Sequence, residues 1–140
     1  MDFKNILIVG IGLIGGSILH ALKERSFSGR VYGIDTNKSA ISSAYELGLI
    51  LNKDTNLPKE LDDLCVIISV PVLSVEDALS QIDQIINKED VIYTDTLSVK
   101  SSILETLKTL DSRVLKQFVL SHPIAGSEQS GFFASSPNLF

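Results

Sequence analysis

Gly10-Ile11-Gly12-Leu13-Ile14-Gly15 is a G-x-G-x-x-G run between an apolar tetrad, Ile6–Val9, and a stretch with apolar residues at helical spacing. After a buried strand and at the start of a helix, this spacing suits a dinucleotide pyrophosphate. Gly10 permits a tight turn. Gly12 lets the backbone approach phosphate oxygens. Gly15 allows the helix to lie close to the strand. Gly12, Leu13, Ile14 and Gly15 then span the start of a helix, whose unpaired N–H groups and positive dipole end attract anions. Asp35 ends a second apolar run, twenty residues after Gly15. The fingerprint expects an acid about 20 residues on, directed at the ribose hydroxyls. A carboxylate there repels a 2′-phosphate, so the expected cofactor is NAD, with NADP disfavoured. Thr36-Asn37-Lys38 supplies no arginine for that phosphate, although Lys38 could pair with it. Asp35 could also cap the helix that begins near Asn37, and the two roles can coexist.

Ligands of open α/β sheets bind beyond the carboxyl ends of the strands, and three more such ends carry polar residues. Ser69-Val70-Pro71-Val72 ends one apolar run, and Pro71 either stops the strand or shapes a wall beside the cofactor. Asp95-Thr96-Leu97-Ser98-Val99-Lys100 follows another, where Asp95 or Ser98 could cap the next helix. Ser121-His122-Pro123 through Glu128 follows the last. An imidazole titrates near neutrality, so His122 beside a nicotinamide could take the proton of an alcohol as hydride leaves its carbon. A structural role for it is the competing reading. His20, on the polar side of the first helix, is expected to be solvated. Cys65 lies in an apolar strand and is expected to be buried and inert. No second His or Cys stands at ligand spacing, so no metal site is expected.

The elements that must position these residues follow from the hydrophobic period. Strands are expected at Ile6–Val9, Val31–Ile34, Cys65–Val70, Val91–Thr94 and Gln117–Leu120. Helical stripes lie between them: from Ile14 to about Arg25, from Ala40 to Leu47 with Gly48 as the C-cap, from Val75 to Ile86, and from about Val99 to Leu110. Leu49-Ile50-Leu51 could add a short edge strand. Strands alternating with helices imply βαβ units, right-handed crossovers and an α/β, Rossmann-type, doubly wound, mostly parallel sheet. The chain has 140 residues, which suits one domain, residues 1–140, for dinucleotide binding. It is 44% hydrophobic and 21% charged, a globular balance. Lys plus Arg total 12 against 17 Asp plus Glu, and an acidic chain without a basic run is a poor partner for nucleic acid. No apolar run reaches the roughly 18 residues of a membrane span, and the start lacks a leader's basic and cleavage regions. A cytoplasmic protein with no membrane partner is the expectation.

Gly10-Ile-Gly-Leu-Ile-Gly-Gly-Ser17, Asp95-x-x-Ser98-Val99-Lys100 and His122-Pro-Ile-Ala-Gly-Ser-Glu-Gln-Ser-Gly131 occur in that order. Together they resemble the prephenate dehydrogenase family, and they cover most of the chain. The resemblance implies NAD-dependent oxidative decarboxylation of the small molecule prephenate to 4-hydroxyphenylpyruvate, a step towards tyrosine. It implies His122 as acceptor of the ring hydroxyl proton, Ser98 as the residue orienting His122 and the hydroxyl, and Glu128 near the substrate's polar side chain. Lys100 could face the nicotinamide or solvent.

The family also has a mostly helical second domain that forms a homodimer and supplies an arginine to the substrate carboxylate. No segment here corresponds to it, and the three arginines, Arg25, Arg30 and Arg113, are expected away from the site. The expectation is therefore a nucleotide-binding domain cut from a longer enzyme and inactive alone. Phe132, Phe133, Leu139 and Phe140 would then be left mobile or packed on another copy. Arogenate dehydrogenase carries the same motifs, and a non-catalytic dinucleotide sensor would need only Gly10–Gly15 and Asp35.

Overall fold

All five residues of β1 (Asn5–Val9) are buried, so this strand is covered on both faces. The structure, a computed structural model, describes residues 3–86, 90–110 and 112–140. Met1 and Asp2, part of the segment read above as leaderless, lie outside them. β1 runs parallel to β2 (Arg30–Ile34) on one side and to β3 (Leu64–Ile68) on the other, with Val9 level with both Ile34 and Ile68. β4 (Val91–Asp95) and the two-residue β5 (Phe118–Val119) extend the sheet in the order β2-β1-β3-β4-β5. Every pairing is parallel, which makes the sheet fully rather than mostly parallel.

Successive strand residues point to opposite faces, and each face has its own core. Leu7 and Val9 join Val66, Ile68 and Tyr93 under α3 (Val75–Ile85) and α4 (Lys100–Thr109). Ile6 and Ile8 join Ile11, Leu19, Ala40 and Ala44 under α1 (Leu13–Glu24) and α2 (Lys38–Glu46). Helices on both faces of a parallel sheet give the doubly wound Rossmann architecture, and the order reverses between β1 and β3. The carboxyl ends of β1, β2 and β3 therefore open a crevice at that switch point.

Three local expectations need correction. Residues 49–51 form no strand, although the Leu51 N–H donates to the Val31 carbonyl at 2.9 Å. The Asn52 side chain accepts from the Gly33 N–H at 2.9 Å and donates to the Gly33 carbonyl at 2.7 Å, supplying the edge of β2 with a strand-like partner. The third strand ends at Ile68, before Val70, and a short helix, α5 (Ser112–Lys116), precedes β5. Gly48 does follow the C-cap of α2, with φ at +63°.

Candidate functional site

The turn after β1 is built by glycines at positions where a side chain collides with backbone. Gly10 has φ +94°, and a Cβ there would stand 2.5 Å from the Ser69 carbonyl oxygen. A Cβ on Gly15 would collide with the Gly10 carbonyl oxygen, so α1 rests directly on the turn. At Gly12 a Cβ would meet nothing within 4 Å, because it would project into open space. Gly12 is also the N-cap of α1 and brings no side-chain cap, leaving the first-turn N–H groups of Leu13, Ile14 and Gly15 without a side-chain acceptor.

Asp35 stands just past β2 and faces this turn. Its carboxylate accepts the Ile11 N–H at 2.6 Å and the Asn37 N–H at 2.7 Å. It does not cap α2; Asn37 does, accepting from Ser39 and Ala40 N–H at 3.0 and 3.3 Å. A groove of about 450 Å³ opens here, lined among others by Gly10, Gly12, Asp35, Ser69, Pro71 and Phe132. Pro71 lies beyond the strand, at the start of a 3-10 turn (Val72–Ser74), and forms part of the wall. Leu13, Ile14 and Gly15 are not in the lining; Gly15 serves the packing of α1 on the turn.

These residues fit a dinucleotide. Of the turn glycines Gly10, Gly12 and Gly15, Gly12 has room for a Cβ, and that room lies where a phosphate would approach an uncapped helix N-terminus. A carboxylate stands at the neighbouring strand end, as ribose recognition requires.

A second cluster sits between the ends of β4 and β5. Asp95 is fully buried and ion-paired with Lys100, whose ammonium also donates to the carbonyls of Leu97, at 2.6 Å, and Ser121. The Asp95 carboxylate accepts Leu97 N–H at 3.0 Å and Ser121 N–H at 3.1 Å. Lys100, partly exposed, clamps the two strand ends. Asp95 and Ser98 do not cap α4, whose N-cap, Val99, brings no side-chain bond. A Thr96 Oγ1 to Ser69 Oγ contact of 3.0 Å ties this cluster to the groove wall.

Ser98, His122 and Glu128 are all exposed and none lines the groove. Ser98 follows β4 and His122 follows β5, so adjacent parallel strands bring their loops to the same edge of the sheet. Among the described residues no hydrogen bond joins Ser98 to His122.

His20 and the tail depart from expectation together. His20 is half-buried, its ring stacked on Phe132 at 6.0 Å between centroids. Burial, with Lys23 nearby, lowers its pKa from the usual value. Phe132 belongs to the core beneath α1 and is only 5% exposed, so it is covered by its own chain. Phe133 and Phe140 remain exposed. Cys65 is buried as expected, and burial pushes its thiol pKa up to about 11, which suppresses the nucleophilic thiolate.

The family described as prephenate dehydrogenase, nucleotide-binding domain, matches residues 18–140, so the glycine loop lies outside the match. A prephenate dehydrogenase from Lactococcus lactis is 34% identical over 98% of this chain and 38% of its own length. One from Bacillus subtilis is 34% identical over 96% of this chain and 36% of its own. The chain thus spans well under half of either relative. Prephenate dehydrogenase from A. aeolicus, solved in complex with hydroxyphenyl propionate and NAD+, superposes with a TM-score of 0.83 at 34% identity, over 100% of this chain and 48% of that one.

Proposed function

The chain belongs to the prephenate dehydrogenase family through its nucleotide-binding domain, and from that premise we propose that residues 1–140 hold NAD in a prephenate dehydrogenase. The supporting observation is the convergence of Gly10, Gly12 and Asp35 on one groove at the sheet's switch point. The uncapped start of α1 binds the pyrophosphate, and Asp35 accepts the ribose hydroxyls on the lone pairs its two backbone contacts leave free. A bound nicotinamide dinucleotide supplies the hydride acceptor.

His122 accepts the proton of the ring 4-hydroxyl as the carbon bearing it gives up hydride. The bond to the ring carboxylate breaks and carbon dioxide leaves; the bonding pair completes the aromatic ring and displaces the carbonyl π pair onto the 4-oxygen, which takes its proton back from His122. Ser98, on the neighbouring loop, orients His122 and the hydroxyl, and Glu128 stands near the substrate's side chain. All three are exposed, and the bound substrate draws them together.

Arg25 and Arg30 are exposed, and Arg113 pairs with Asp83 at 2.8 Å across α5 and α3. None of the three lines the groove, so pairing of the two substrate carboxylates falls to the remainder of a longer, dimeric, cytoplasmic enzyme.

The test is NADH formation from NAD+ and prephenate, first by this chain and then by a whole protein containing it. The expected result is turnover by the whole protein only, reduced by roughly 10²–10⁴ in kcat by His122→Asn. Near-normal turnover in that variant would return His122 to a structural role. Preference for arogenate would reassign the substrate, and robust turnover by this chain alone would show that its own residues complete the site.

A further inference from the structure

Gly16, the last glycine of the run that begins at Gly10, and Ser17 after it do not line the groove, and both are buried in α1. Their contacts lie more than a hundred residues away. Ser17 is fully buried, and its Oγ accepts the Ser136 N–H at 2.9 Å. A Cβ on Gly16 would stand 2.8 Å from Ser135 and 3.1 Å from the Phe132 ring. Here α1 needs a residue without a side chain for the returning segment to lie against it.

That segment is locally closed. Gly131 turns it with φ +84°, and Ser135 donates to the Phe132 carbonyl through its N–H at 2.9 Å and its Oγ at 2.5 Å. Phe132 joins the core cluster that includes Leu19 and Ile11 and stacks on His20. Gly131 and Phe132 also line the groove that Gly10, Gly12 and Asp35 line. The loop bearing His122 and Glu128 therefore runs between two fixed points, Ser121 on the Asp95–Lys100 clamp and Phe132 on α1.

We infer that Gly16 and Ser17 are positioning residues: they form a seat on α1 that holds residues 131–136 as a wall of the groove, and seating of that wall is linked to dinucleotide binding. This rests on the dinucleotide reading above. A ligand filling the groove touches Gly131 and Phe132 only when the segment is seated. It therefore binds the seated form better, and by reciprocity it stabilises the seat. Ser17→Ala removes the acceptor of the Ser136 N–H. Phe132→Ala removes the groove-side anchor and leaves α1 unaltered, so it tests the same idea if Ser17→Ala folds poorly.

The experiment combines amide hydrogen exchange at residues 132–136, with and without NAD+, and calorimetric titration of NAD+ into the wild type, Ser17→Ala, Phe132→Ala and Phe132→Leu. NAD+ is expected to slow exchange of these amides in the wild type. Ser17→Ala and Phe132→Ala should each weaken NAD+ binding by about fivefold or more, and Phe132→Leu should restore most of that loss. NAD+ binding to the wild type without added protection of 132–136, or with equal affinity in the two disruptive variants, overturns the inference alone. No NAD+ binding by the wild type overturns the dinucleotide reading and the inference with it.

Discussion

The Asp95 carboxylate accepts the backbone N–H of Ser121 at 3.1 Å, so a buried charge at the end of β4 fixes the residue immediately before His122. The charge is held there by Lys100, the first residue of α4, which reaches back past residues 96–99 and donates to Leu97 and Ser121 as well.

Removing only the cation should be costly. Lys100→Met leaves Asp95 buried with two backbone donors and no counter-charge. Breaking a buried pair from one side destabilises by about 3–5 kcal/mol, and the partial exposure of Lys100 places the expected loss near the lower end. Urea unfolding of Lys100→Met and of Lys100→Met/Asp95→Asn checks this, because the double variant should recover part of the loss. Equal stability of Lys100→Met and the wild type would show that the clamp contributes little.

The loop glycines should separate folding from binding. Gly15→Ala drives a methyl group into the Gly10 carbonyl, and relieving that clash requires α1 to move from the sheet, with an expected loss of about 1–3 kcal/mol. Gly12→Asp meets open space and places a favourable N-cap residue on α1. It should fold with stability unchanged or slightly raised, while putting a carboxylate where the pyrophosphate would lie. Thermal unfolding of the two variants distinguishes them.

His20 should give stability a pH dependence of defined sign. Burial against Phe132, and then Lys23, holds its folded pKa below the unfolded value. Below about pH 6.5 the unfolded chain binds this proton more readily. Its contribution is complete above that pH and is lost as pH falls towards the folded pKa. The stability gap between wild type and His20→Gln, measured by urea unfolding at about pH 7.5 and about pH 5, should narrow on acidification. A gap that widens would reverse the sign.

Backbone-imposed features were legible in the residues themselves. Glycines at fixed spacing after an apolar run, an acid at the next strand end and a histidine at the last strand end each follow from chain geometry, and the alternation of periods led to the parallel sheet. Contacts between distant side chains were not legible. Nothing local to Lys100 tells that it turns back to Asp95 and Ser121 rather than outward, since the spacing of five residues has no helical signature. His20 occupies a polar-looking helix position, and the ring of Phe132, 112 residues later, stacks on it. Gly16 and Ser17 stand in the glycine motif, but the hydrogen bond made there joins Ser17 to Ser136 across 119 residues. Asn52 sits in an irregular stretch with no pattern marking it as the partner of Gly33.

The most direct measurement is calorimetric titration of the chain with NAD+ and NADP+, in the wild type and in Gly12→Asp. The wild type should bind NAD+ more tightly than NADP+, because Asp35 accepts ribose hydroxyls and repels a 2′-phosphate, and Gly12→Asp should lose NAD+ binding while remaining folded. Absence of NAD+ binding by the folded wild type, or unaltered binding by folded Gly12→Asp, would contradict the placement of the dinucleotide in this groove, and tighter binding of NADP+ would contradict the role given to Asp35.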